Sequence, residues 1–310
     1  MFYFKYYVDL NDFNIGDLVG KGNYAFVHRG IRKARHNHPE IECAIKLLFR
    51  NVEIEEFMRE VGCQASLKHP AILSLIGFSL PIVGEGRYAI ITDIMPNGTL
   101  EKLVEEVRRG NAPENWEVIK ACNIFGIAAG MAFVHQNHIM HRDLKIENVM
   151  LDAENLPKIA DFGLSRFVIE DTKKQILLTR DRGTPTYMAP ELFDCINYTN
   201  KVDVFSYSYI LYELNTSKKA WSDKNDLNLF TLIDYIKNNI RPKIDEYEIS
   251  DEFVQLIHRC WDGDPQVRPS FIEIVKEFMD NKEKYFRLDE GDMEVLKDYI
   301  ELVTKDLDFS

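Results

Sequence analysis

Residues His138 to Asp152 read HIMHRDLKIENVMLD. Within them His141, Arg142, Asp143, Lys145 and Asn148 set five polar groups of different chemistry directly before the apolar Val149, Met150 and Leu151. Polar groups that close to a core are costly unless they have partners, so the cluster is either a network or a site. Two more clusters follow, DFGLSR from Asp161 and APE from Ala189. Five specified residue types at fixed spacing recur by chance about once in a few million positions, and here they stand in order with other signals.

Upstream, GKGNYAFV spans Gly20 to Val27 between two strand-like segments. Glycines let backbone N–H groups approach phosphate oxygens, which makes Gly20, Lys21 and Gly22 candidates for phosphate contact. A tight hairpin would explain the stretch equally well on its own. The third glycine of the usual GxGxxG spacing is Ala25, and no strand-glycine-helix order follows, so a dinucleotide fingerprint is disfavoured. The later CAIK places Lys46 at a strand position that should point inward. A buried ammonium needs an anion, and Glu60 on the next helical stretch is the natural partner. Together they would fix Lys46 for phosphate contact.

The patterning changes near residue 97. From Phe13 to Asp93 the segments FNIGDLVG, AFVHRGIR, ECAIKLLF, ILSLIGFSL and RYAIITDI read as strands, with one helix from Val52 to Leu67. Beyond MPNGT, helices are expected at Leu100–Arg109, Trp116–Asn137, Val202–Leu214, Asp226–Asn238, Asp251–Trp261 and Ser270–Lys284. The expected fold is therefore α+β and bilobal, with DIMPNG as the hinge. Residues 1–12 form an N-terminal extension, 13–96 a small strand-rich lobe, 97–284 a larger helical lobe, and 285–310 an acidic tail with an amphipathic helix from Leu288 to Leu307. Nothing in the sequence assigns that tail a purpose.

At 310 residues and 45% hydrophobic composition the chain can bury a sizeable core. Its net charge of -12 disfavours nucleic-acid binding and leans toward cationic partners, although plain solubility explains it too. Cys43, Cys63, Cys122, Cys195 and Cys260 are scattered, odd in number and without metal-ligand spacing, which points to a reducing, cytoplasmic setting. The aromatic opening MFYFKYYVDL carries Lys5 and Asp9 and fails as a signal peptide, and no apolar run is expected to span a membrane.

HRDLKIEN, DFGLSR and APE together resemble the signature set of the protein kinase superfamily, and the resemblance runs from about Phe13 to Phe278. It implies ATP and Mg2+ in the cleft between the lobes and transfer of the γ-phosphoryl group to a protein hydroxyl. It implies Asp143 as catalytic base, Asn148 and Asp161 as magnesium ligands, Lys46 paired with Glu60 on the phosphates, and Lys145 on the transferred group. Thr92 would stand behind the adenine, the backbones of Asp93 and Met95 would hydrogen-bond it, and Val27, Ala44 and Met150 would sandwich it. GTPTYMAPE, Gly183 to Glu191, resembles the Ser/Thr form of the substrate loop, with Thr184 against Asp143 and Lys145. CWDGDPQVRPSF, Cys260 to Phe271, resembles the ending of tyrosine and tyrosine-kinase-like kinases. The combination implies a tyrosine-kinase-like Ser/Thr kinase. The alternatives are tyrosine or dual specificity, and a silent scaffold, which the retained Lys46, Asp143 and Asp161 count against.

Further expectations come with the resemblance. Arg268 should pair with Glu191, and Asp203 should brace the catalytic loop. Arg142 and Arg166 should face an anion, supplied by an upstream kinase or by autophosphorylation at Thr179, or at Thr172, unless nearby acids already satisfy them. Glu147 and Glu213 match a carboxylate pair that favours basic residues before the target Ser or Thr. Phe205 and Ser208 replace the usual tryptophan and glycine, so local repacking is expected. Gln64 falls in a stack otherwise made by Leu75, Phe162 and His141. Its amide either finds a partner or lets the helix swing out as a switch.

Overall fold

The computed structural model describes residues 2–22, 25–34, 39–49, 52–81, 87–167, 185–194, 198–224, 227–244 and 249–310. The five expected strands form one antiparallel sheet: β1 (Phe13–Lys21), β2 (Ala25–Arg32), β3 (Ile41–Leu48), β4 (Leu75–Ser79) and β5 (Ala89–Thr92), in the order β1-β2-β3-β5-β4. Register places Val27 beside Lys46 and Ala44 beside Thr92. The helix α1 (Ile54–Ser66) packs Phe57 and Val61 against Phe78 and Ile90 of the sheet, an apolar stripe at helical spacing.

The extension ahead of β1 is part of this lobe. Val8 N–H donates to the Phe78 carbonyl at 2.9 Å, and Tyr6, Val8 and Leu10 pack on its core. Glycine at 77 makes room for it, because a Cβ there would lie 2.8 Å from Val8 Cγ1 and 2.9 Å from the Tyr6 carbonyl oxygen.

The second lobe is built on α2 (Leu100–Arg108), α3 (Trp116–Gln136), the short α4 (Pro190–Asp194), α5 (Lys201–Thr216), α6 (Leu229–Lys237), α7 (Asp251–Cys260) and α8 (Phe271–Asp280). By length and composition alone α3 is apolar enough to cross a membrane, with a mean hydropathy of 1.5 over 18 residues. It is the core helix of this lobe instead, with 83% of that window buried inside the protein. The single helix expected at Ser270–Lys284 is two. Asn281 leaves the helical region (φ -127°, ψ 29°), its side chain bonds the Glu277 carbonyl, and α9 (Lys282–Tyr285) turns Tyr285 and Phe286 onto Phe253 and Phe278.

The acidic tail folds as α10 (Glu290–Thr304) and lies on α3, burying Met293, Leu296, Tyr299, Ile300 and Val303 on one stripe. Between the lobes, the hinge segment pairs with the floor of the cleft: Leu151 N–H donates to the Gly98 carbonyl at 2.8 Å, and Thr99 bridges Met150. Three two-residue or three-residue strands complete that floor, β6 (Ile139–Met140), β7 (Val149–Leu151) and β8 (Pro157–Ile159), with β9 (Arg166–Phe167) pairing β6.

Candidate active site

The candidate nucleotide-site residues come from both lobes. From above come Gly20 and Lys21 at the end of β1, Gly22, Val27 on β2, and Ala44 and Lys46 on β3. Among the described residues a Cβ at Gly20 or Gly22 would meet nothing closer than 3.6 Å. Packing against those residues does not demand glycine there, which fits close approach of a ligand to the backbone. At the back, Thr92 ends β5, its hydroxyl donating to the Asp93 carbonyl at 3.2 Å, and the Met95 carbonyl accepts from Gly98 N–H. From below, β7 presents Met150, half-buried.

Lys46 Nζ lies 2.7 Å from Glu60 Oε1 and 3.0 Å from Asp161 Oδ1, so β3, α1 and the segment after β8 meet at one ammonium. Burial alone would lower the Lys46 pKa, but the carboxylates of Asp161 and Glu60 more than offset that and raise it. Lys46 in turn holds Asp161 below the ordinary carboxylate range, while burial pushes Glu60 up against the pull of Lys46. Asp161 sits in the left-handed region (φ 62°, ψ 71°). Such a backbone persists only where its surroundings over-determine it.

The catalytic-loop candidates converge on Asp143. Asn148 Nδ2 donates to Asp143 Oδ2 at 2.9 Å and to its carbonyl at 2.8 Å, and Lys145 Nζ is 2.9 Å from the same Oδ2. Asp203 on α5 carries the loop. Its fully buried carboxylate accepts from the His141 and Arg142 N–H groups at 2.9 and 2.7 Å and from His135 Nε2 at 2.9 Å. Burial works against that charge, yet the bonds from His135 and Arg142 prevail and hold its pKa low. They also fix Arg142 at a positive φ of 66°. His141 packs on Phe162 at 5.0 Å and meets the Ala160 carbonyl through Nε2. Thr184 lies outside the described residues, as do Thr172 and Thr179.

Arg268 and Glu191 form the expected bidentate pair at 2.7 and 3.0 Å. Phe205 fits the tryptophan position by lying under two guanidiniums, Arg268 at 4.9 Å and Arg241 at 5.0 Å. Ser208 turns its hydroxyl back to the Phe205 carbonyl.

A roof of glycines, a lysine shared by two carboxylates, and a carboxylate held by Asn148 and Lys145 are the parts of a phosphoryl-transfer site. The sequence from 13 to 278 matches the family model for protein tyrosine and serine/threonine kinases. The chain belongs to that family. This kinase is 31% identical over 291 residues to the dual specificity protein kinase splA of Dictyostelium discoideum, covering 87% of its own length and 12% of that protein. It is 31% identical over 281 residues to shkB of the same organism, also named as a dual specificity protein kinase, covering 88% and 41%. Against the serine/threonine-protein kinase STY17 of Arabidopsis thaliana the identity is 30% over 277 residues, covering 87% and 44%. The chain thus spans less than half the length of these relatives.

The structure adds residues the sequence reading missed. Arg59 on α1 joins Arg142 and Arg166, and burial together with those two neighbours pushes Arg166 down to about 10. Arg142 is partly engaged, donating to the Leu164 carbonyl and to Tyr198 Oη. Arg108 on α2 reaches Glu213 Oε2 at 3.1 Å, and the Tyr187 hydroxyl and Ala220 N–H bond the other oxygen. No local pattern announces such pairs, since their members stand far apart in the chain.

Proposed function

We propose that this kinase transfers the γ-phosphoryl group of ATP to serine or threonine of protein substrates. The observation that carries the reading is the pairing of Lys145 with Asp143 at 2.9 Å. It sets an ammonium beside the carboxylate that would receive the hydroxyl proton. In the reaction the substrate oxygen bonds to the γ-phosphorus, the bond to the β,γ-bridging oxygen breaks, ADP leaves, and the proton passes to Asp143. Asn148 and Lys145 hold that carboxylate in place, and Lys46 grips the phosphates with Glu60 and Asp161 behind it. The amide oxygen of Asn148 and the carboxylate of Asp161 are hard donors of the kind magnesium takes beside phosphate oxygens. They would hold the ion, which when bound neutralises charge on the phosphates.

Phosphoamino-acid analysis of autophosphorylated protein tests the specificity, with phosphoserine and phosphothreonine expected. Phosphotyrosine beside them would favour the dual-specificity reading, which the names of splA and shkB support. Asp143→Asn should abolish transfer while ATP binding survives. An Asp143→Asn variant with most of its turnover would remove the assignment of the base.

Two finer readings belong to the same proposal. Glu213 is already bound by Arg108, so a preference for basic residues before the target falls on Glu147, whose Oε2 is buried without a partner among the described residues. Burial pushes its pKa up, and a guanidinium would relieve that cost. A peptide array selecting acidic or proline-flanked targets would end this reading. The clustering of Arg59, Arg142 and Arg166, with Glu56 as an acid already beside Arg166, supports phosphorylation at Thr179, or at Thr172. Mass spectrometry finding active enzyme without phosphate between Asp161 and Glu191 would remove it. The four described cysteines are free and buried, which supports a cytoplasmic, reducing location.

A further inference from the structure

The loop after α1 is held from the far end of the chain. His69 is buried, stacked on Phe133 of α3 at 5.1 Å, and both of its ring nitrogens are used. Nδ1 accepts from Ala71 N–H at 3.1 Å, which leaves Nε2 to donate to the Val303 carbonyl in the last turn of α10 at 2.7 Å. The carbonyl of Ala71 accepts from Ile159 N–H at 2.8 Å, and Leu73 N–H returns a bond to the Ile159 carbonyl at 2.9 Å. The Leu73 carbonyl then accepts from Gln64 Nε2 at 3.1 Å. These five bonds form one unbroken path from the C-terminal helix to two places. One is β8, two residues before Asp161, and the other is α1, one turn beyond Glu60 and on nearly the same face. Asp161 and Glu60 are the two carboxylates that hold Lys46.

We propose that α10 is a positioning element for phosphoryl transfer, acting through His69 and Gln64 on the carboxylates that set Lys46. The inference rests on the role given to Lys46, Glu60 and Asp161 above. Its physical content is directional. Apolar packing between α1 and the loop could slide, whereas each of these bonds fixes an angle as well as a distance. Gln64 is 5% exposed and Val303 fully buried, so water does not compete for either bond. The helix α10 is fastened at its end, where Gln136 bonds the backbone of Asp308 and Lys276 donates to the Phe309 carbonyl.

Side-chain shape separates this path from a purely local turn. In His69→Gln the amide nitrogen reaches about as far as Nε2 and can keep the bond to Val303. In His69→Asn the oxygen stands near the place of Nδ1 and can keep the turn with Ala71, but cannot reach α10. The test is steady-state kinetics of the full chain with ATP and casein as probes, for wild type, His69→Gln, His69→Asn, Gln64→Leu and the Asn/Leu double variant, beside their unfolding temperatures.

His69→Gln should stay near wild type. His69→Asn and Gln64→Leu should each lower kcat, by up to about fivefold, the largest fall in the competent population that loss of one bond of ~1 kcal/mol produces. The KM for casein should not change, because a molecule with Lys46 misplaced still binds casein. The double variant should be little worse than either single one. Should His69→Asn not fold, Gln64→Leu alone must show the fall in kcat. Wild-type kcat in His69→Asn and Gln64→Leu, or His69→Gln more impaired than His69→Asn, would overturn the proposal even if unfolding temperatures fell. A wild type that transfers no phosphate to casein or to itself removes the catalytic reading, and the relay with it.

Discussion

Docking of α10 on α3 can be tested at one contact, Gly126 against Tyr299. A Cβ built at residue 126 would lie 2.3 Å from Tyr299 Oη, 2.8 Å from Pro157 Cγ and 3.0 Å from Tyr299 Cε1. None of these can yield cheaply, since the ring is buried and the proline belongs to β8. Two effects oppose in Gly126→Ala. Alanine in a helix interior gains about 1 kcal/mol over glycine, while forcing a methyl into a filled core costs roughly 1–3 kcal/mol. The shortest contact decides the sign, and the expected net loss is about 1–2 kcal/mol. Tyr299→Phe should go the other way. Its hydroxyl is buried without a hydrogen-bond partner among the described residues, so removing it should be neutral or stabilise by up to ~1 kcal/mol. With that oxygen gone, Gly126→Ala in the Tyr299→Phe background should lose much less than alone. Chemical denaturation of the four proteins measures the coupling. A Gly126→Ala chain as stable as wild type, or a strictly additive double variant, would refute this account of how the helix sits.

Lys46→Met should weaken both ATP binding, read by nucleotide titration, and turnover, because it frees Asp161 and Glu60 as well as the phosphates. Arg268→Ala should destabilise by about 3–5 kcal/mol in urea titrations, since it strips the fully buried partner from Glu191. Asp203 gives a pH dependence: its folded pKa lies below the ordinary value, so its contribution is present above the ordinary carboxylate range and lost as pH falls through the lowered value. The Asp203→Asn variant should show a shallower acid loss of stability than wild type in melts run across that range.

What the sequence made legible were residues whose chemistry demands a partner of definite type. A lysine in an apolar strand asks for a carboxylate, and Glu60 stands on the next helix. The pairing of Arg268 with Glu191 came instead from the resemblance to kinases, and the structure buries that arginine beside α8. The resemblance also paired Glu213 with Glu147 for a basic residue of the substrate, and within the fold Arg108, 105 positions earlier, reaches Glu213. Charge announces that a partner is needed, not which of several cations will be near. The break at Asn281 was missed because the apolar spacing of Ser270–Lys284 continues through it. Helical periodicity cannot show a change of axis that leaves the same face inward. The packing of the first residues on β4 was equally silent, since its signals are a missing Cβ at Gly77 and a backbone carbonyl.

Gln64 shows where this kind of reading stops and why. Its side chain told that an amide stood where the stack through both lobes wants an apolar group, and that it needs a partner or becomes a hinge. The partner is the carbonyl of Leu73, a group every residue carries, so no residue type could have predicted it. Its presence argues for a helix held in, with Lys46 and Glu60 joined at 2.7 Å, and against one that swings out to escape an unpaired amide. It also changes what the stack does. A column of apolar side chains resists separation but tolerates sliding, because its attraction depends on area. A hydrogen bond at the same level resists sliding too. In this chain α1 is therefore registered against the loop after it by direction, and that loop is registered by His69 against α10. The separation between Lys46 and its two carboxylates is thus set in part by a helix that touches none of them.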